Sequence, residues 1–423
     1  MDKRQVIAQI AIFAASATER CSVVQTPSTE QCSVALSNIT VMLNNIIIYV
    51  FISSLLTQLI YWLWVFGRVA FYEEKNPKSD TLNPKPNAPL MPMASPRRGM
   101  AVSVIICARN EAENLSNYLP SVLQQNYPQF EVIVVNDASD DDTPSVLKAF
   151  SEKYPHLHIV TLTEKKLKGK KGALAEGIKA AQYDWVLLTD ADCYPLCMEW
   201  IAAMMTVAAD KEMGLGFSPY EKCDGFLNVF IRYEAIFTAV QYMGFALVGE
   251  PYMGVGRNLI YRKSLFQRVG GFDSHAHIAS GDDDLFVNQA VTKNNFKIFL
   301  DPKTFTYSKP KTRWNDYITQ KRRHYTTAFH YKWKHKILLG GISVSHFFYS
   351  VTALLALILK ISTIFVLVCI VVRILAIWFL YGKILRKLQH TDLFWWIPLL
   401  DAVYVLFYVL FAPALFRRTQ KWR

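Results

Sequence analysis

Trp185-Val186-Leu187-Leu188-Thr189-Asp190-Ala191-Asp192 sets four apolar residues directly before a Thr-Asp-Ala-Asp cluster. The run is too short for a helix and continuously apolar, so it reads as a buried strand with two carboxylates at its end. Two upstream stretches repeat the arrangement. Val102-Ser103-Val104-Ile105-Ile106-Cys107 leads into Arg109-Asn110-Glu111, and Val132-Ile133-Val134-Val135 leads into Asn136-Asp137-Ala138-Ser139-Asp140. Polar, helix-capable segments separate the three runs, as in βαβ units around a mainly parallel sheet. Ligands of open α/β sheets bind beyond the carboxyl ends of the strands, so the three clusters are expected to converge.

Each cluster has its own chemistry. Two carboxylates flanking one small residue, Asp190 and Asp192, suit a hard divalent cation such as Mn2+ or Mg2+. An acceptor at a strand end, Asp137, can take a nucleobase N–H. The following residues, Asp140 to Thr143, are better read as helix caps. Lys170, in Gly169-Lys170-Lys171-Gly172, stands at a helix entrance where an ammonium meets phosphate oxygens, although the glycine spacing of a P-loop is missing. In Gly281-Asp282-Asp283-Asp284 three adjacent acids cannot all ionise comfortably, which raises the proton affinity of at least one. Alone, each pattern reads as a solvated acidic turn or an exposed basic loop. Their order along alternating strands and helices favours a single site.

Composition adds membrane segments. The 423 residues are 52% hydrophobic with a formal net charge of +12. The apolar excess gathers near the two ends, and much of the charge flanks it. Expected boundaries are an N-terminal extension at 1–44, a membrane helix at 45–66 and a linker at 67–98. A catalytic domain at 99–335, a membrane region of two to three helices at 336–416 and a basic tail at 417–423 follow. Lys3-Arg4 with a short apolar run imitates a signal peptide, and Met42 is an alternative start. The charge after Phe66 places the middle of the chain in the cytosol by the positive-inside rule. Three C-terminal crossings would then put the tail outside, against that rule, unless one segment lies at the interface or re-enters. The seven cysteines show no zinc spacing, and no nucleic-acid partner is expected.

In sum these motifs resemble family-2 glycosyltransferases, over roughly Ala101 to Tyr331. The resemblance implies a GT-A nucleotide-sugar-binding domain, here with flanking transmembrane helices, and an integral protein of a bacterial inner membrane. Val104 to Glu111 looks like the family's opening strand and nucleotide-contacting turn, which nominates Arg109, Asn110 and Glu111. Asp137 falls where the family contacts uracil, so a UDP-sugar is the expected donor. Lys170 resembles the lysine of its Gly-Lys-x-x-Ala-Leu segment, and Asp190 and Asp192 match its metal-binding Asp-x-Asp. Arg257 and Asn258 are similar to the stretch lining the donor sugar. The acidic triplet resembles the segment supplying the base of inverting members: one register nominates Asp282, another Asp284, and Asp283 lies between. Gln320-Lys321-Arg322-Arg323-His324 looks like the Gln-x-x-Arg-Trp motif, with Gln320 and Arg323 on the donor diphosphate. His324 stands where the family's acceptor-binding tryptophan would be.

The implied function is inverting, metal-dependent transfer from a nucleotide sugar to a lipid-linked or saccharide acceptor in glycolipid or cell-surface polysaccharide synthesis. A processive polysaccharide synthase is the nearest alternative. A non-catalytic sugar-nucleotide-binding scaffold is the alternative of another class.

Overall fold

The computed structural model describes residues 29–74, 100–163, 169–278 and 280–413. Most of the extension, the linker and all of the basic tail expected from sequence lie outside them. The chain divides into two compact units, Met1–Trp62 with Leu339–Trp378, and Leu63–Leu338 with Phe379–Arg423.

The second unit holds a seven-stranded sheet ordered β3-β2-β1-β4-β7-β6-β8. Its strands are β1 (Val102–Ala108), β2 (Phe130–Asp137), β3 (Leu157–Leu162), β4 (Trp185–Asp190), β6 (Met213–Leu215), β7 (Leu259–Arg262) and β8 (Phe296–Ile298). A separate pair joins β5 (Cys193–Pro195) to β9 (Thr306–Ser308). Strands β1 to β4 pair parallel, but β7 runs antiparallel to both β4 and β6. Strands β6 and β8 again pair parallel, so the expectation of a mainly parallel sheet holds, with β7 the strand that runs against the other six. Strand β7 follows β6 through the helix Phe226–Leu247 yet pairs antiparallel with it, and a short strand such as Leu259–Arg262 carries no direction in its composition.

The order reverses at β1, which lies between β2 and β4. Register places Ala108 opposite Asn136 and Cys107 opposite Asp190. All three predicted polar clusters thus leave the sheet side by side, at its topological switch point. Both faces of the sheet are covered: on one, Val102, Val104, Val132, Val134 and Leu187 pack with Leu115, Leu119, Trp200 and Met204, and on the other the helix carrying Gly177 approaches Ile105 and Val135 so closely that a Cβ there would meet them at 2.8 and 2.9 Å.

Helices are numbered in chain order. Helix α1 (Thr29–Leu59) continues through a π-helical stretch, Ile60–Phe66, into α2 (Gly67–Ala70). It begins well ahead of the expected Asn45 and runs past Phe66. No glycine or proline lies between Thr29 and Phe66 to stop it. Around the sheet lie α3 (Ala112–Leu123), α4 (Thr143–Lys153), α5 (Lys170–Ala180), α6 (Trp200–Met204), α7 (Phe226–Leu247), α8 (Lys263–Arg268), α9 (Asp284–Ala290) and α10 (Trp314–Ala328). They are followed by α11 (Trp333–Ile358), α12 (Thr363–Lys387) and α13 (Ile397–Phe411). Among the described residues four segments, Ser33–Ala70, Trp333–Ile358, Thr363–Lys387 and Thr391–Phe411, are long and apolar enough to cross a membrane. In the first unit Phe51 stacks on Tyr349 at 5.5 Å, and the buried Arg373 donates to Gln58 Oε1 at 3.0 Å.

Helix α7 lies in the second unit and is largely core. Its buried Arg232 holds Asp392 through two bonds of 2.8 and 2.7 Å, and its buried Glu234 pairs with Lys321. A buried ammonium needs a counter-ion, and Glu234 supplies it.

Candidate active site

The first two loops are stitched together. Both contain a non-glycine residue with positive φ, Asn110 at 59° and Ala138 at 51°. The Asn110 side chain accepts from Asp140 N at 3.0 Å, while Asn110 N donates to Ser139 Oγ at 3.0 Å. This occupies the Asn110 carbonyl in holding the turn, in addition to any contact with a nucleotide. Thr143 and Asp141 accept from the N–H groups of Glu111 and Ala112, at 2.9 and 3.2 Å, so the capping role read from Asp140 to Thr143 falls chiefly on these two. Arg109 is exposed and Asp137 is buried at the end of β2. Glu111 is half-buried, and burial raises its carboxyl, with Asp192 and Asp190 adding to the shift.

The centre is Lys170. Gly169 enters α5 with φ of 71°, a left-handed turn that glycine adopts without strain. The Lys170 ammonium then pairs with Asp190 and lies 3.6 Å from Asp282. Burial works against its charge, but Asp190 and Asp282 outweigh it, and Lys170 stays protonated well above its ordinary value.

Asp190 and Asp192 respond differently. Burial raises both, but Lys170 carries Asp190 below its ordinary value, whereas Asp190 pushes Asp192 further up. A bound cation would relieve that repulsion. Among the described residues no group of three or more His, Cys, Asp and Glu could hold a metal. The pair therefore fits a hard ion that takes its other ligands from phosphate and water, the habit of Mg2+ sites.

The three adjacent acids are separated by their partners. Gly281, with φ of 91°, bends the chain, and a Cβ there would meet Leu285 Cδ1 at 2.4 Å. Asp284 is buried and accepts from Leu285 N at 2.7 Å, Tyr331 OH at 2.7 Å and Thr327 Oγ1. Asp283 caps α9, accepting from Asp284 N at 2.7 Å and Gly256 N at 2.8 Å. Burial, then Asp282 and Asp284, push its carboxyl up to about 7. Asp282 faces Lys170 and takes no part in that internal network.

Arg257 donates through Nη2 to Ser218 O at 3.0 Å, lies 4.4 Å over the Tyr220 ring and leaves Nη1 without a hydrogen-bond partner. Asn258, expected beside the donor sugar, has no exposed surface. It donates to Phe217 O at 2.7 Å and Thr304 O at 2.6 Å, and accepts from Trp200 Nε1 at 3.2 Å. This is a correction: Asn258 ties three segments together, since a buried amide must satisfy its polar atoms locally. Gln320 and Arg323 are half-buried on α10, and His324 is exposed. Arg323 lies in the field of Asp282, Asp190 and Asp283.

Sequence reading missed Thr327, Tyr331 and the Gly256 N–H as partners of the acids. Hydroxyls and backbone groups far along the chain give no local signal.

A profile of the family described as Glycosyl transferase family 2 matches residues 103–270. The chain is 28% identical over 235 residues to the probable glycosyltransferase YdaM of Bacillus subtilis, covering 52% of this chain and 54% of that protein. It is 32% identical over 130 residues to a poly-beta-1,6-N-acetyl-D-glucosamine synthase of Staphylococcus epidermidis, covering 30% and 29%. The chain thus matches only about half or less of these relatives' lengths. The solved mannosyltransferase PcManGT of Pyrobaculum calidifontis, in complex with GDP-Man and Mn2+, shares the fold with a TM-score of 0.53 at 19% identity, over 86% of this chain and 99% of that one.

Proposed function

The chain is a family-2 glycosyltransferase of GT-A fold, and on that premise we propose that it moves a sugar from a nucleotide sugar to a membrane-associated acceptor with inversion. A UDP-sugar is the expected donor, because Asp137 is buried at the strand end where the family resemblance places uracil. The observation that carries the reading is the single ammonium of Lys170 shared between Asp190 and Asp282. It brings the diphosphate end and the acid–base end of the reaction together.

Asp282 is the base in this reading, because Asp283 and Asp284 spend their carboxylates on backbone and hydroxyl donors. It removes the acceptor hydroxyl proton while that oxygen attacks the anomeric carbon. The bond to the diphosphate oxygen breaks, and the nucleoside diphosphate leaves with its electron pair. Lys170, Arg257 and Arg323 stabilise the developing charge, and an α-linked donor gives a β-linked product. Asp190 and Asp192 would hold Mn2+ or Mg2+, which supplies charge neutralisation at the diphosphate when bound.

The four apolar segments support an integral membrane protein, and the basic residues after Phe66 support a cytosolic catalytic domain. The acceptor is then a lipid-linked or other membrane-associated saccharide. The purified full-length chain, given Mn2+, a panel of UDP- and GDP-sugars and a membrane lipid extract, should release nucleoside diphosphate and yield a glycosylated lipid or saccharide. Donor binding without release under all these conditions would favour a non-catalytic scaffold.

A further inference from the structure

Two consecutive lysines open α5, and they point to different tasks. Lys170 meets carboxylates, whereas Lys171 meets only backbone. The Lys171 side chain is fully buried, and its Nζ donates to His275 O at 2.8 Å and Ile278 O at 3.0 Å. Among the described residues no carboxylate lies within ion-pair distance of it. A buried ammonium is costly unless its donors are satisfied, so its retention there calls for a reason.

The clasped turn supplies one. His275 and Ile278 lie six and three positions ahead of Gly281, which opens the three acids. Helix α5 therefore grips the acidic segment twice, Lys170 at the Asp282 carboxylate and Lys171 at the backbone that leads to it. We propose that Lys171 is a positioning residue: its two bonds to the His275 and Ile278 carbonyls set Asp282 against the Lys170–Asp190 pair. Burial pushes Lys171 down to about 8, against the pull of Asp282, Asp284 and Asp283. The titratable groups around it are these three acids, Lys170 on its own helix, His275 on the clasped turn and His330 beyond α10. The grip therefore weakens as pH rises through about 8 and the ammonium is lost.

The proposal rests on Asp282 as the base, but its first readout does not require catalysis. Hydrogen exchange is followed by mass spectrometry on the full-length chain in detergent, for wild type, Lys171→Met and Lys171→Gln. Peptides spanning 273–286 should exchange on the order of tenfold faster in Lys171→Met, with residues 130–137 unchanged. Wild-type protection at 273–286, corrected for intrinsic rates, should fall between pH 7 and 9, and the Met variant should show no such step. Binding of UDP with Mn2+ should stay within about threefold, while turnover falls at least tenfold through kcat. Lys171→Gln, which keeps a donor, serves if the Met variant does not fold. Unchanged exchange at 273–286, or altered exchange with undiminished turnover, overturns the proposal. If no donor is turned over by wild type, the exchange data still decide the clasp, and the functional reading fails separately.

Discussion

Lys170 Nζ stands 3.6 Å from the Asp282 carboxylate while holding Asp190 at the end of β4. One side chain at the start of α5 thereby joins two acids that the chain separates widely. Any anion entering between them meets a charge already neutralised on the protein side, which lowers the cost of bringing a diphosphate to a carboxylate-rich cleft.

The metal site proposed at Asp190 and Asp192 is open to a direct test. Asp190→Asn and Asp192→Asn should each abolish Mn2+ binding in the presence of UDP, read by paramagnetic resonance, and cut turnover on the order of 10²–10³-fold. Asp192→Asn should keep the thermal midpoint, whereas Asp190→Asn, which takes a partner from the buried Lys170 ammonium, should lower it without unfolding the domain. Full turnover after exhaustive chelation would exclude the assignment.

The raised carboxyl of Asp283 has a consequence for stability. Its folded value of about 7 lies above an ordinary 3.8, so the fold prefers the protonated acid. That stability is present in full below pH 4 and is lost as pH rises through 7. Asn mimics the protonated form and can still cap α9. Asp283→Asn should therefore be more stable than wild type above pH 7, with the gap closing towards pH 4, in denaturant titrations at several pH values. The measured midpoint belongs to the three coupled acids together. A gap independent of pH would contradict the burial of this charge.

Much of this site was legible in the sequence because strands announce themselves. Val102 to Cys107, Val132 to Val135 and Trp185 to Leu188 are apolar runs ending in polar clusters, and register brings those ends together. The antiparallel β7 was not legible, since pairing direction depends on connections. Lys170 and Lys171 are identical in type and adjacent, yet one faces carboxylates and the other carbonyls. Only the direction of each side chain from the helix separates them. Asn258 shows the converse, a residue placed by motif beside a ligand and held by the core instead.

Topology is open to direct labelling. Ser145 is exposed on α4 and Cys223 is an exposed native thiol. A Ser145→Cys variant lacking Cys21, Cys32 and Cys223 should resist an impermeant maleimide in intact cells and react after permeabilisation. Labelling of intact cells would place the domain on the other side.

Product length bears on His324. A synthase that retains a growing chain benefits from an aromatic platform against sugar rings, and His324 is smaller and more polar than tryptophan. Mass spectrometry of products should show addition of one or a few sugars. Long ladders made by the purified enzyme would support a processive synthase.

Asp282→Asn tests most directly whether Asp282 and Lys170 work on one reacting centre. Nucleoside diphosphate release by the purified chain should fall on the order of 10²–10⁴-fold. Binding of UDP with Mn2+ should be unchanged in the same preparation. Turnover of Asp282→Asn at the wild-type rate, with Asp283→Asn or Asp284→Asn inactive but folded, would contradict the account.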